Sequence, residues 1–274
     1  MPKPDVVALT GGYRRTPILQ VGADIYCDTA LIADELDELA PSPPLHRGEC
    51  AAANLALAQW ADSNLFIAAV SLIFQPSVAG KLFTSPQELK AFADDRTQLR
   101  KGGTSRRPSV SEAKALLDVF LGRLNAQLAD GRDHLFGREA LLADFSVYHP
   151  LWFLRGPLPQ LLGGHEHVVA WMSRMAAIGH GVSSEITGAE AISIARDTTP
   201  VSSAAVCDDD TMRVADRVEV MPTDYGLDPA TGELVVCNAR EIAIRRVDPR
   251  AGEVMVHFPR VFYQIRKVAT DTAP

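Results

Sequence analysis

The sequence predicts an α+β protein with several domains. Near the N-terminus, residues 14–39 combine two short apolar strands, a tight turn between them and an apolar-periodic helix. Residues 44–197 show helical periodicity, and residues 211–268 switch to short β-branched or aromatic runs separated by turns. We therefore expect three domains, at residues 1–43, 44–197 and 211–268.

The first of these segments has the sequence RRTPILQVGADIYCDTALIADELDEL. Residues 16–21 alternate as a strand does, Gly22 opens a two-residue turn of the kind a hairpin requires, and residues 24–26 form a second strand. Asp28 and Thr29 then precede an apolar-periodic run, a pattern typical of a helix start. The segment therefore predicts a hairpin followed by a helix.

Composition limits the classes of protein to which the chain can belong. Its 274 residues are 47% hydrophobic, enough for a substantial core, and the net charge of -7 disfavours nucleic acid and anionic membranes as partners. No apolar run reaches the length of a membrane span, and the first residues do not resemble a secretory signal. The cysteines, Cys27, Cys50, Cys207 and Cys237, show no CxxC spacing and indicate reduced thiols in a cytoplasmic protein.

The long middle segment divides into helices at breaks in periodicity and at capping signals. Ser85, Ser109 and Thr187 each stand three residues before a Glu, which is the capping box of a helix start. Predicted helices cover residues 47–74, 85–100, 109–128, 141–154 and 165–178, and a further helix begins at Thr187. This pattern predicts an all-α bundle.

One acid lies in the most apolar of these helices. Asp144 stands three residues after Leu141, and we expect it to be a buried structural group that bonds backbone N–H groups near the helix start. His165 and His167 are two residues apart, but no second ligand pair stands at a recognised spacing, so no metal site is predicted.

The C-terminal segment predicts a small β domain. Strands are predicted at residues 217–221, 233–237, 241–246, 253–258 and 261–265, with turns between them. Several short strands at this spacing indicate an antiparallel barrel or sandwich, and we favour a small five-stranded barrel of SH3-like type. The acidic, Ser- and Thr-rich residues 198–210 predict a linker before this β domain.

The N-terminal hairpin and helix resemble the second half of the thioredoxin-like domain of glutathione S-transferases. The resemblance lies in TPIL, GADI, the Asp-Thr pair and ALIAxxL, and it extends in general form over residues 10–197. In the helical part, Asp144 fits the family pattern Ser/Thr-x-x-Asp ahead of an apolar run, which implies a capping hydroxyl at position 141, where Leu141 stands instead. The resemblance implies a cis bond between Thr16 and Pro17, with the Thr16 backbone pairing with the cysteinyl part of glutathione. It also implies that Asp28 and Thr29 hold the γ-glutamyl end, since a helix N-terminus favours a carboxylate and an acid beside it suits an ammonium.

Simpler readings exist for the same residues. Asp28 and Thr29 are preferred capping types, so they could serve only as the cap of their helix. Arg14 and Arg15 are expected to be solvated, with a charge contact to glutathione as the alternative. Residues 1–13 carry two prolines and a Gly-Gly pair and predict a loop with at most one helical turn.

The resemblance implies a cytoplasmic, homodimeric transferase that uses glutathione as co-substrate and, in its full-length form, conjugates it to a hydrophobic electrophile. Trp60, Phe66 and Tyr148 are candidate contacts for that hydrophobic small molecule, and core packing is the alternative role of each. A competing class is a non-catalytic protein that keeps the fold as a binding or dimerisation platform. A third is an unrelated all-α protein with a chance hairpin.

The predicted thioredoxin-like domain is partial. Only 15 residues precede Thr16, too few for the strand-helix-strand unit that carries the thiolate-stabilising residue in the family. We therefore assign no catalytic residue, and we expect Met1 to be an internal methionine or a truncated start. The 274-residue chain is expected to lack transferase turnover and to aggregate through the unpaired edge of its hairpin.

Overall fold

The computed structural model describes residues 3–46, 48–80, 82–201 and 204–268. The chain divides into two compact units. The sheet unit comprises Met1–Glu35, Phe92–Ser105 and Ser184–Pro274, and the helical unit comprises Leu36–Ala91 and Arg106–Ser183. This division differs from the predicted one, because most of residues 1–43 and all of residues 211–268 share a single unit.

The helices and strands follow one another in chain order. They are α1 (Pro4–Thr10), β1 (Ile18–Val21), β2 (Asp24–Cys27), α2 (Thr29–Leu39), α3 (Ala51–Trp60), a π-helix (Ala61–Leu65), α4 (Phe66–Ile73), α5 (Pro76–Ala79), α6 (Pro86–Arg100), α7 (Val110–Leu128), α8 (Leu142–Arg155), a 3-10 helix (Pro159–Leu162), α9 (Glu166–Ala177), α10 (Gly188–Asp197), β3 (Val206–Cys207), β4 (Arg217–Pro222), β5 (Ala230–Cys237), β6 (Glu241–Asp248), β7 (Gly252–Pro259) and β8 (Tyr263–Lys267). Every helix and strand predicted from periodicity has a counterpart in this series.

Helix α1, seven residues long, lies in the stretch predicted as a loop with at most one helical turn. Pro4 stands in its first turn, where a missing N–H removes no intrahelical hydrogen bond. Gly11 ends the helix in the left-handed region at φ 84°, and its N–H donates to the carbonyl of Val7 at 2.8 Å. Leu9 is buried, so the short apolar stretch of this segment belongs to a core.

One mixed sheet joins the two ends of the chain. The described strands follow the order β1-β2-β7-β6-β5-β4-β8, and β3 pairs with β5. All pairs are antiparallel except β2–β7 and β3–β5. In the parallel β2–β7 pair, Asp24 lies opposite Met255 and Tyr26 lies opposite His257. The N-terminal hairpin therefore continues the sheet formed by the C-terminal strands.

The predicted closed barrel is not confirmed. Strands β1 and β8 each pair with one neighbour among the described strands, so the sheet stays open. The strand positions were predicted well, but the hairpin was assigned to another domain. A parallel pair between opposite ends of a chain leaves no local sequence signal, because its strands are joined by a long crossover rather than by a turn.

A shared apolar core covers one face of this sheet. Ile25 of β2 lies in it beside Val256 and Phe258 of β7, and the helices α1 and α10 contribute Leu9 and Ile192. Burial of apolar surface is the main source of folding free energy. Because the hairpin and the C-terminal strands bury the same core, the N-terminal segment is not an isolated hairpin.

The other face of the β2–β7 pair carries buried charges. His257 Nδ1 lies 2.8 Å from Glu241 Oε2, and its Nε2 lies 3.2 Å from Asp24 Oδ1. The Tyr26 ring stacks on the imidazole with centroids 4.4 Å apart, and the second Asp24 oxygen accepts from the N–H of Val201 at 2.8 Å. Burial works to lower the pKa of His257, but the hydrogen bonds to the two carboxylates outweigh it, so this pKa is raised.

In the helical unit, α8 packs against α3, α4 and α9. Asp144 of α8 is fully buried, and its carboxylate accepts from the backbone N–H groups of Leu135 at 2.9 Å and Leu141 at 3.1 Å. It also accepts from the indole N–H of Trp171 at 2.9 Å. The structural role predicted for Asp144 is confirmed.

Asn54 of α3 takes the place of the capping hydroxyl that the sequence lacks at Leu141. Its Oδ1 accepts from the N–H of Ala143 at 2.9 Å. The carbonyl of Leu45 accepts from the N–H of Leu142 at 3.0 Å and from Asn54 Nδ2 at 3.0 Å. Two N–H groups that a helix start leaves unpaired are satisfied in this way.

The segments α3, π-helix and α4 form one continuous helical stretch, Ala51–Ile73. By length and composition alone this stretch could cross a membrane, and 44% of its most apolar window is buried. The core helix of a soluble protein meets the same criterion, so the observation is weak evidence. The sequence predicted this helix, at residues 47–74, as part of a bundle, but the statement that no apolar run reaches the length of a membrane span is wrong by length and composition.

Replacing Asn54 should destabilise the helical unit. In Asn54→Ala the buried N–H of Ala143 loses its acceptor, and leaving such a group unsatisfied costs about 1–3 kcal/mol in the free energy of unfolding. Urea denaturation followed by circular dichroism measures the loss. Asn64→Ala is the matched control, because Asn64 is exposed and its side chain bonds to the adjacent Ser63; a loss as large in the control would contradict the capping role.

Stability should also depend on the charge of His257. Because its pKa is raised in the folded state, the contribution is complete below the ordinary value of about 6.5 and is lost as pH rises through the folded-state pKa. The difference in free energy of unfolding between wild type and His257→Gln should therefore shrink with rising pH. His180→Gln, at an exposed histidine, should leave the pH dependence unchanged. Parallel pH profiles for wild type and His257→Gln would refute this assignment.

Candidate functional site

The hairpin register brings the four residues predicted to hold glutathione to one end of the hairpin. The first residue of β1 pairs with the last residue of β2. Thr16 and Pro17, just before β1, therefore lie at the same end as Asp28 and Thr29, just after β2. The bond between Thr16 and Pro17 is cis, as predicted. Thr16 is exposed, and its hydroxyl accepts from Lys3 Nζ at 2.7 Å.

Asp28 caps helix α2. It adopts the left-handed conformation at φ 76°, which Asp tolerates better than most residues. Its Oδ1 accepts from the N–H of Ala30 at 3.1 Å, and its carbonyl accepts from the N–H of Ile32 at 3.0 Å. The capping role considered from the sequence is therefore present. Thr29, the first residue of the helix, is exposed to solvent.

Tyr263 of β8 holds the second oxygen of Asp28, a contact that the sequence did not predict. Its hydroxyl donates to Asp28 Oδ2 at 3.0 Å. The Tyr263 ring lies 5.7 Å from the ring of Phe258 and 6.4 Å from that of Tyr13, centroid to centroid. Both carboxylate oxygens of Asp28 are thus oriented by donors, one on α2 and one on the C-terminal strand.

The two tyrosines keep their protons. Burial raises the pKa of Tyr263 well above its ordinary value, and the negative charge of Asp28 raises it further. The same two causes, burial first, raise the pKa of Tyr13. Both side chains are therefore neutral phenols, and Tyr263 is available as an O–H donor.

Arg14 and Arg15 are not solvated, contrary to the prediction. Arg14 Nη1 lies 2.8 Å from Asp95 Oδ1. The Arg15 guanidinium pairs with Asp224, and its Cζ lies 3.8 Å from the centroid of the Tyr225 ring. Each arginine side chain keeps 17% of its surface exposed, because carboxylates and a ring distant in sequence enclose it.

The three candidate contacts for a hydrophobic substrate lie in the helical unit with different ring partners. Trp60 packs on Phe120 at 4.8 Å, and Tyr148 meets the ring of Trp171 at 6.2 Å. Phe66 stacks on His149 at 5.4 Å. All three are half-buried, so packing contacts and exposed ring surface coexist. The π-helix separates Trp60 from Phe66, and such wide turns occur often at functional sites.

This chain is similar to one protein family and to several solved structures. The family model described as glutathione S-transferase, C-terminal domain, matches residues 107–174, which lie inside the helical unit. A solved structure described as a GST-like protein from Pseudomonas syringae is 39% identical, with a TM-score of 0.82. The match covers 98% of this chain and 87% of that chain. No protein with a curated description matches.

Two more distant solved structures are similar in part. FzlA from C. crescentus is 20% identical, with a TM-score of 0.43, over 64% of this chain and 72% of that chain. A glutathione S-transferase domain-containing protein from Marinobacter aquaeolei is 19% identical, with a TM-score of 0.45, over 65% of this chain and 78% of that chain.

Removing the Tyr263 hydroxyl should destabilise the sheet unit. A hydrogen bond to a charged group contributes about 1.5–3 kcal/mol, so Tyr263→Phe should lower the free energy of unfolding by an amount of that order. Tyr148→Phe is the control, since no hydrogen bond of that hydroxyl is found among the described residues. Equal urea midpoints for wild type and Tyr263→Phe would mean that the bond to Asp28 contributes nothing.

Proposed function

This chain belongs to the glutathione S-transferase family, and we propose that it binds glutathione and conjugates the thiol to a hydrophobic electrophile. The observation that carries the proposal is the convergence of Thr16, Pro17, Asp28 and Thr29 at one end of the hairpin. These are the positions to which the family resemblance assigns the tripeptide. The exposure of Thr16, Pro17 and Thr29 leaves that end open to a ligand.

The chemistry of Asp28 supports a contact with the α-ammonium of the γ-glutamyl group. An ionised carboxylate has about four lone-pair sites, and the contacts to Ala30 and Tyr263 occupy one on each oxygen. The remaining sites can accept from an ammonium. The start of α2, with its dipole and the Thr29 hydroxyl, suits the neighbouring α-carboxylate. The ammonium of the γ-glutamyl end therefore faces a negative carboxylate, and its α-carboxylate faces the positive end of a helix dipole.

Conjugation itself joins the glutathione sulfur to an electrophilic carbon. The thiolate attacks that carbon, a C–S bond forms, and the electron pair of the broken bond leaves with the leaving group or moves into the substrate. We assign no residue of this chain to stabilise the thiolate. Trp60, Phe66 and Tyr148 are proposed as contacts of the hydrophobic substrate, since each half-buried ring keeps apolar surface exposed.

The wider proposal follows the family resemblance. We propose a cytoplasmic homodimer whose ligands are glutathione and an apolar small molecule, without nucleic acid or membrane as partner. A non-catalytic binding platform is the second candidate function. It differs from the transferase in one measurable respect: glutathione binds but is not consumed.

Asp28→Asn should separate glutathione binding from helix capping. Asn is as good a cap as Asp and tolerates positive φ, so the cap should be kept, and the free energy of unfolding should fall by no more than the about 1.5–3 kcal/mol of the charge-assisted bond from Tyr263. Loss of a charge-assisted contact should weaken glutathione affinity by about 10- to 100-fold, as calorimetry on the full chain would show. Asp28→Ala should lose both the cap and the affinity.

Thr29 offers a matched pair of variants for the same experiment. Thr29→Ser keeps the hydroxyl and should retain affinity, whereas Thr29→Val keeps the shape and should lose it. Unchanged affinity in Asp28→Asn and Thr29→Val would show that glutathione binds elsewhere. If the wild-type chain gave no heat with glutathione, the proposed function would fail altogether. Binding without thiol consumption in the presence of 1-chloro-2,4-dinitrobenzene would favour the platform.

A further inference from the structure

We propose that Cys207 and Cys237 form a redox modification site, a cross-strand dithiol that a peroxide oxidises to an intramolecular disulfide. The two residues lie on β3 and β5 of the sheet unit. They are distant from the residues proposed for glutathione in sequence, and the proposal does not depend on glutathione binding. Its basis is the pairing of the two strands.

The register places the two thiols side by side. Cys207 lies directly opposite Cys237 in the parallel β3–β5 pair, and the N–H of Asp208 donates to the carbonyl of Cys237 at 2.8 Å. Neighbouring strands lie about 4.8 Å apart, inside the range of about 4.4–6.8 Å found between the Cα atoms of disulfides. Both side chains face the core of the sheet unit, so they point to the same side of the sheet.

Strand β3 can make the small approach that an S–S bond requires. It is two residues long and pairs with β5 alone among the described strands. Bonded Cβ atoms lie about 3.5–4.5 Å apart, slightly closer than the spacing of neighbouring strands. A two-residue strand bordered by exposed residues moves toward its neighbour more easily than a central strand does.

The environments of the two thiols differ in a way that sets their order of reaction. Cys207 is half-buried, so a peroxide can reach it, whereas Cys237 is 1% exposed. Burial raises the pKa of Cys237, and the positive charge of Arg260 opposes that rise. Arg260 is held nearby by Asp209, whose Oδ2 lies 3.0 Å from Arg260 Nη2. Cys207 is therefore the thiol that is oxidised first, and Cys237 is the resolving thiol.

The reaction takes place in two balanced steps. The Cys207 sulfur attacks one oxygen of hydrogen peroxide, the O–O bond breaks, and a sulfenic acid and one water form. The Cys237 sulfur then attacks the sulfenic sulfur, the S–O bond breaks, and the hydroxide leaves with the thiol proton as a second water. The dithiol loses two electrons to the peroxide, and the product is one S–S bond.

The other cysteines lack such a partner in the described part of the chain. Cys27 lies opposite Ile18 in the β1–β2 pair and is fully buried. Cys50 precedes α3 in the helical unit and is half-buried, which gives a control of similar exposure to Cys207. Oxidation should therefore join one pair of cysteines and no other.

Peptide mapping of the full chain after peroxide treatment tests the proposal. Trypsin places the four cysteines on different peptides, residues 16–47, 48–81, 197–213 and 218–240. After hydrogen peroxide, alkylation of free thiols and digestion without reductant, peptides 197–213 and 218–240 should be joined and should separate with dithiothreitol. The intact chain should have lost two hydrogens and should melt at a higher temperature.

Two variants control the experiment. Cys50→Ser should still form the joined peptides, whereas Cys207→Ser should abolish them and leave Cys237 as a thiol. Circular dichroism and a melting curve of each reduced variant check that it is folded. A different disulfide as the main product, a bond between two chains, or oxidation of Cys207 to sulfinic acid without joining Cys237 would each overturn the proposal.

Discussion

The fold of the sheet unit depends on the parallel pairing of β2 with β7. Without it, β1 and β2 would be an isolated two-stranded hairpin, which is marginally stable at best in water. With it, the backbone groups of β2 that face away from β1 are hydrogen-bonded, and Ile25 enters the core beside Val256. From the sequence we expected a two-stranded remnant with an unpaired edge along residues 16–21. The hairpin does not stand alone, because β2 pairs with a strand from the far end of the chain, but β1 does lie at the edge of the described sheet.

The register of this pair is fixed by charge as well as by apolar packing. A slip of one residue would turn every side chain of β2 to the other face of the sheet. Asp24 would then enter the apolar core, and His257 would lose one of its two carboxylates. An unpaired buried charge costs far more than a missing apolar contact, so the Asp24–His257–Glu241 group favours one register over the others.

The features that the sequence predicted correctly are those determined by residues close together in the chain. The hairpin turn, the capping boxes at Ser109 and Thr187 and the inward acid Asp144 are signals contained within a few residues, and the structure has each of them. The contacts that escaped prediction join residues far apart in sequence. The replacement of the missing cap at Leu141 by Asn54 is one example, and the enclosure of Arg15 by Asp224 and Tyr225 is another. Neither leaves a pattern at fixed spacing, because each requires the tertiary fold to exist first.

The candidate site shows why the C-terminal strands cannot be treated as an appended module. The sequence placed Asp28 and the strand of Tyr263 in different domains, yet the tyrosine hydroxyl orients the carboxylate. Tyr263 is itself fixed by the rings of Tyr13 and Phe258 and by the pairing of β8 with β4. The position of the Asp28 carboxylate therefore depends on a sheet built from both ends of the chain. A substitution that shifts β8 would move this carboxylate without changing α2. The C-terminal strands therefore influence the proposed ligand site by positioning Asp28, rather than by contacting the ligand themselves.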